Sequence, residues 1–212
     1  VYFGKDEEKR VGKILKEFCP KKVLIHYGGQ SAIKSGLLDR VKKALDEENI
    51  AYCLCGGVVA NPLLSKVNEG IRICKEEGVD FILAVGGGSV LDSSKGIAYG
   101  VYNEGNVWDY YARKKKVKGA LPMGCILTLS ATGSEMSNSS VITNEDGNLK
   151  RGLSSEYGYF KFSILNPELT YTVSKYQTMC GCTDIIMHTF ERYFTPYDTL
   201  DLVDQMAESV VR

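Results

Sequence analysis

Val79-Asp80-Phe81-Ile82-Leu83-Ala84-Val85-Gly86-Gly87-Gly88-Ser89 decides the fold. After Asp80 the run is apolar without a break, as a central strand covered on both faces must be. It then breaks into three glycines and a serine that open a helical pattern. A strand that ends in this way is a physical device for approaching phosphate. Without Cβ atoms the amides of Gly87, Gly88 and Ser89 can come close to a pyrophosphate, and a helix N-terminus adds unpaired N–H donors and partial positive charge. The spacing is neither G-x-G-x-x-G nor G-x-x-x-x-G-K-[ST], and a tight strand-to-helix turn with no ligand is the other reading. Asp92 and Lys95 follow three and six residues after Ser89, near one face of the first helical turns, where surface pairing is also consistent.

Working outward, helical and strand patterns alternate over the first ninety residues, which predicts βαβ units and a largely parallel sheet. Val23-Leu24-Ile25-His26-Tyr27 is a short strand closed by Gly28-Gly29. A helical stripe of Ile33, Leu37, Leu38, Val41 and Leu45 follows, then a weaker strand over 50–55. Asn61 reads as an N-cap with Pro62 at the first helical position, and Gly78 ends that helix. Downstream lie an aromatic segment at Trp108-Asp109-Tyr110-Tyr111, a buried strand over 124–129 and a hairpin turned at Asp146-Gly147. A last strand is expected over 160–165. From Ser174 the period is helical: Ser174 and Gln177 fit a capping box, and the helix runs to about Tyr193 with Pro196 at its exit. A further helical segment is expected near Asp198. The expected organisation is an α/β domain over 1–170 and the first helices of an all-α portion over 171–212.

Lys plus Arg and Asp plus Glu are each 26, so the formal charge is zero and gives no general attraction to nucleic acid or an anionic membrane. The basic cluster 113–118 reads as a solvated loop. No apolar run reaches membrane-span length, so a soluble, cytoplasmic chain is expected. Seven cysteines without a C-x-x-C pair argue for reduced thiols rather than a disulfide framework or a zinc finger. The chain opens on Val1 and stops at Val210-Val211-Arg212 within a helical pattern, as a fragment would.

Three further groups have the chemistry of a site. The turn Gly28-Gly29-Gln30-Ser31 also follows a strand, at the edge where an open α/β sheet holds the adenosine end of a dinucleotide; a simple loop is the alternative. The segment Thr128-Leu129-Ser130-Ala131-Thr132-Gly133-Ser134-Glu135 has hydroxyls that can bond ribose, diphosphate or carboxamide, or cap a helix starting there through Thr132 or Ser134. Asp184 and His188, four apart on the long helix, set a carboxylate beside an imidazole, which suits a divalent metal and equally a surface ion pair. Lys150 on the hairpin is either a diphosphate contact or a surface lysine, and His26 reads as structural.

Taken together, Gly86-Gly87-Gly88-Ser89-x-x-Asp92-x-x-Lys95, the run from Pro122 to Met136, Ile164-Leu165-Asn166-Pro167-Glu168-Leu169-Thr170 and Asp184-x-x-x-His188-x-x-Glu191-x-Tyr193 resemble the iron-containing (group III) alcohol dehydrogenases. The likeness is nearest to the butanol dehydrogenase and NADPH-dependent aldehyde reductase branch. It implies a Rossmann-like dinucleotide-binding domain with a parallel sheet, followed by the start of an all-α metal-binding domain, the dehydroquinate synthase-like architecture. It implies cofactor contacts at Gly28, Gly29, Ser31, Gly87, Gly88, Ser89, Asp92, Thr128, Thr132 and Lys150, and metal ligands at Asp184 and His188. NADP(H) or NAD(H) and Fe²⁺ or Zn²⁺ are the implied cofactors. Gly29 stands where NAD-preferring relatives have Asp, which leans the choice toward NADPH with NADH tolerated.

The implied reaction is reversible hydride transfer between nicotinamide and a short- to medium-chain aldehyde or primary alcohol, with no nucleophilic side chain. A homodimer is left open as a partner. A glycerol-dehydrogenase-like or dehydroquinate-synthase-like enzyme of the same architecture, and a non-catalytic nucleotide-binding fragment, are the alternatives. The family's two further histidine ligands fall beyond Arg212, so these 212 residues alone are expected to bind metal weakly and turn over slowly or not at all. Cys180, one turn before Asp184, is expected to be a buried free thiol.

Overall fold

The computed structural model describes residues 1–196 and 201–212, which form two compact units, Val1–Thr170 and Tyr171–Arg212. In chain order the first unit contains β1 (Tyr2–Phe3), α1 (Val11–Lys16), β2 (Val23–Gly28), α2 (Ser31–Lys34), α3 (Leu37–Glu47), β3 (Tyr52–Val58), α4 (Leu64–Glu77) and β4 (Phe81–Gly86). It continues with α5 (Gly88–Tyr102), α6 (Trp108–Tyr111), β5 (Met123–Leu127), β6 (Ser139–Asn144), β7 (Leu149–Ser154) and β8 (Phe162–Leu165). The second unit contains α7 (Lys175–Tyr193) and α8 (Asp201–Val211).

All six residues of β4 are buried, and β4 pairs in parallel with β2 on one side and β5 on the other. The sheet order is β1-β8-β5-β4-β2-β3, every pair parallel. Side-chain alternation divides the core. Val23, Ile25, Phe81, Leu83 and Val85 pack with Leu38, Val41 and Leu45 of α3, whereas Leu24 and Ile82 pack with Val67 of α4 and Ile97 of α5. After β2 the chain therefore leaves on one face of the sheet, and after the adjacent β4 on the other. Their divergence opens a crevice at the carboxyl ends of the strands, the place where open α/β sheets bind ligands. The fold is Rossmann-like α/β.

The hairpin β6–β7 forms where Asp146-Gly147 predicts it, with φ of 78° at Gly147 and 51° at Asn148. Gly78 ends α4 in the left-handed region at φ 66°. Among the described residues no helix is long and apolar enough to cross a membrane.

Several local expectations are corrected. The helix expected through Ile33 is broken, because Gly36 turns the chain at φ 69° between α2 and α3, and Ile33 is 43% exposed. The strand expected over 50–55 lies at Tyr52–Val58, since pairing with β2 carries it on to Val58 opposite Gly28. Asn61 does not cap a helix: it sits at φ 54°, Leu63 bridges to Thr143, and α4 begins only at Leu64. The cap comes from the hairpin, where both carboxylate oxygens of Glu145 accept from Ser65, one from its N–H at 3.1 Å and one from its hydroxyl. No helix starts in 128–135, which is extended and turned.

In the second unit Ser174 does cap α7, its hydroxyl accepting the Gln177 N–H at 3.3 Å. The helical start expected near Asp198 lies outside the described residues. Cys180 is exposed rather than buried, because α7 has no buried residue among those described.

Candidate functional site

The crevice is built from strand ends. β2 stops at Gly28 and β4 at Gly86, and the Thr128 N–H donates to the Gly86 carbonyl at 3.0 Å, which ties the end of β5 to the first turn. α5 starts at Gly88 with Gly87 as N-cap, so no side chain caps its first amides. A Cβ on Gly88 would lie 2.7 Å from Thr132 Cγ2, which only glycine avoids; Gly29 has nothing within 4 Å of its Cβ position. Glycine thus serves contact at 88 and leaves open space at 29.

A cavity of about 280 Å³ opens at the head of α5. Gly88, Ser89, Asp92, Thr132 and Lys150 line it, so five of the ten expected cofactor positions meet in one wall. Gly28, Gly29, Ser31, Gly87 and Thr128 stay on the neighbouring strand-end turns outside that lining. Lys150 Nζ donates to Asn61 Oδ1 at 2.7 Å. Asn61, Ser137, Ser139 and Ser140 also line the cavity, and the sequence reading missed them. The available signal for Asn61 was its place just after a strand, in a residue type that tolerates the left-handed region.

Asp92 faces the cavity with both oxygens engaged. Oδ1 accepts the Ser134 hydroxyl at 2.7 Å, and Oδ2 accepts the Val141 N–H at 2.9 Å. Burial pushes its pKa above the usual carboxylate value, against the pull of those two hydrogen bonds and of Lys95 and Lys150. Lys95 is no surface partner of Asp92: it is fully buried, and burial pushes its pKa down to about 8. His26 is also fully buried. Its Nδ1 lies 2.9 Å from the Cys55 carbonyl and its Nε2 2.7 Å from Ser93 Oγ. A carbonyl only accepts, so Nδ1 has the proton and the neutral ring accepts at Nε2.

On α7, His188 Nε2 stands 3.5 Å from Asp184 Oδ2 and His188 Nδ1 3.7 Å from Glu191 Oε2. The spacing brings the expected carboxylate and imidazole side by side, with both side chains more than half exposed. Among the described residues no group of three His, Cys, Asp or Glu side chains is arranged to hold a metal. Asp184 and His188 therefore fit two positions of a coordination shell, not a closed one.

Comparison with known proteins bears on the assignment. The family model described as iron-containing alcohol dehydrogenase matches residues 1–167. The chain is 44% identical over 212 residues, all of its length, to NADH-dependent butanol dehydrogenase A of Clostridium acetobutylicum, and covers 54% of that protein. It is 37% identical over 193 residues to an NADPH-dependent aldehyde reductase of Escherichia coli, 90% of this chain and 49% of that one. The crystal structure of NADH-dependent butanol dehydrogenase A from Thermotoga maritima superposes with a TM-score of 0.94 at 40% identity, covering 99% of this chain and 52% of that one. The chain spans about half the length of the curated relatives it matches.

Proposed function

The chain belongs to the iron-containing alcohol dehydrogenase family, and from that premise we propose that the protein transfers hydride reversibly between a nicotinamide dinucleotide and a short- to medium-chain aldehyde or primary alcohol. The observation that carries this reading is the cavity at the uncapped head of α5, lined by Gly88, Ser89 and the cation of Lys150. Its chemistry matches a diphosphate: uncapped amides at a helix N-terminus and one ammonium, that of Lys150.

In this reading the amides of Gly87, Gly88 and Ser89 bind the diphosphate, and Lys150 leaves Asn61 to meet its charge. Thr128 and Thr132 offer hydroxyls to ribose or diphosphate, and the turn at Gly28, Gly29 and Ser31 receives the adenosine end. Asp92, with both oxygens taken by the protein, holds the cavity wall in shape. Asp184 and His188 hold the divalent metal as two of its ligands. When bound, the nicotinamide supplies the hydride and the metal polarises the substrate oxygen as a Lewis acid. The named relatives include both NADH- and NADPH-dependent enzymes, and the open space at Gly29 neither repels a 2′-phosphate nor holds a 2′-hydroxyl, so both coenzymes are proposed.

The test is turnover by the full-length protein loaded with Fe²⁺ or Zn²⁺, with NADH and NADPH, on butyraldehyde and on glycerol. Butyraldehyde reduction is expected. Preference for glycerol redirects the assignment to the polyol enzymes of the same architecture, and coenzyme binding without carbonyl turnover refutes it.

A further inference from the structure

A helix begun at Thr132 or Ser134 would pass the carbonyls of Ser134 and Ser137 to amides one turn on. Instead, three carbonyls of this segment converge on one side chain. Lys95 Nζ donates to the carbonyls of Ser134, Ser137 and Ser139, each at 2.8 Å, and to Ser134 Oγ at 3.0 Å. The Phe160 ring lies 5.3 Å from the same nitrogen. An ammonium has three protons, so four acceptors saturate it. A buried charge is costly unless every proton is satisfied, and here the satisfaction comes from a loop 39 to 44 residues away.

The ammonium also reaches a second anchor. Ser134 accepts from Lys95 and donates its own proton to Asp92, whose other oxygen holds the Val141 N–H. Lys95 and Asp92, three apart on α5, thus pin residues 134–141 at both ends to the helix that begins at the phosphate turn. The pinned segment includes Ser134, Ser137 and Ser139 of the cavity wall and follows directly on Thr132, which packs against Gly88. Lys95 itself is absent from the cavity lining.

We propose that Lys95 is a positioning residue for coenzyme binding: its buried ammonium gathers the carbonyls of 134–139, converts a would-be helix into the wall of the cavity, and sets Thr132 and Asp92 in place. The assignment rests on the nucleotide reading of that cavity. It assigns Lys95 no contact with the coenzyme and no part in the chemical step.

Two variants of the full-length protein test it, each first checked for native far-UV circular dichroism. Lys95→Met keeps the aliphatic length and removes the ammonium. Ser134→Ala keeps every carbonyl and removes only the hydroxyl that joins Lys95 to Asp92. Lys95→Met is expected to raise the KM for reduced coenzyme about tenfold, and Ser134→Ala about threefold, as lost buried hydrogen bonds at a binding wall do. In both, kcat at saturating coenzyme and the KM for aldehyde stay within about twofold of wild type. A folded Lys95→Met variant with the wild-type coenzyme KM, or one that loses kcat while keeping that KM, overturns the proposal. If Lys95→Met does not fold, a wild-type coenzyme KM in Ser134→Ala overturns it. Wild-type protein that binds no coenzyme sinks the nucleotide reading itself, an outcome distinct from the other three.

Discussion

Acid should loosen the first unit through a single imidazole. His26 is fully buried, bonded to the Cys55 carbonyl of β3 and to Ser93 of α5, so its ring joins two strands and a helix just below the turn at Gly28. Burial, the largest cause, together with the nearby Lys66, holds its pKa down from 6.5 to about 4, against the raising pull of the Cys55 hydrogen bond and of Glu69. The folded-state pKa is depressed, so below pH 6.5 the unfolded chain takes up the proton first. Stability from this group is complete above pH 6.5, falls as the pH drops, and stops falling below about 4. A shift of roughly 2.5 units at 1.36 kcal/mol each gives a full loss of about 3 kcal/mol, of which about 2 is gone by pH 5.

The assay is urea unfolding followed by the fluorescence of Trp108, the sole tryptophan, at pH 8 and pH 5. Carboxylates titrate in the same window, so the wild type must be compared with His26→Gln, which keeps a donor and an acceptor but no charge. The stability difference between the two proteins should move by about 2 kcal/mol in favour of the variant between pH 8 and pH 5. Parallel pH profiles, or a His26 titration by NMR near 6.5, would refute the reasoning.

Three other outcomes are expected. Gly12→Ala puts a Cβ 2.8 Å from the Ala44 carbonyl carbon and 3.1 Å from Glu48 Cγ, so α1 must move off α3. A net loss of about 2 kcal/mol is expected in urea despite alanine's better helix propensity, and a neutral or stabilised variant contradicts the close crossing. Gly29→Asp meets no neighbour and should leave stability within about 0.5 kcal/mol, while its carboxylate shifts the NADH-to-NADPH preference of kcat/KM toward NADH by about tenfold or more. An unchanged ratio would remove Gly29 from the ribose end of the site. Calorimetric titration of Zn²⁺ or Fe²⁺ into the 212-residue chain should show weak binding, since Asp184 and His188 are two donors of an open set; tight one-to-one binding contradicts this.

What the sequence determined by itself follows from near neighbours. The unbroken apolar run before Gly86 forms a strand, and the glycines after it end that strand and open α5 with Gly87 as N-cap. Asp146-Gly147 turns the hairpin, Ser174 caps α7, and the spacing of Asp184 and His188 alone sets them side by side. Each of these is settled within a few residues, by steric freedom or by helical period.

Tertiary structure decided what depends on partners far along the chain. The start of α4 moved from Pro62 to Leu64 because its cap is Glu145, 80 residues from the Ser65 amide it accepts, and Asn61 turned from cap to cavity wall beside Lys150, 89 residues away. Of the two readings of 128–135, the helix start at Thr132 or Ser134 gave way to a pinned loop because a lysine that looks exposed in sequence is buried among the carbonyls of Ser134, Ser137 and Ser139. Nothing local distinguishes a lysine that reaches water from one that reaches three carbonyls: the difference is the free energy of desolvating the ammonium, and only the packed sheet, helix and hairpin together provide the acceptors that offset it.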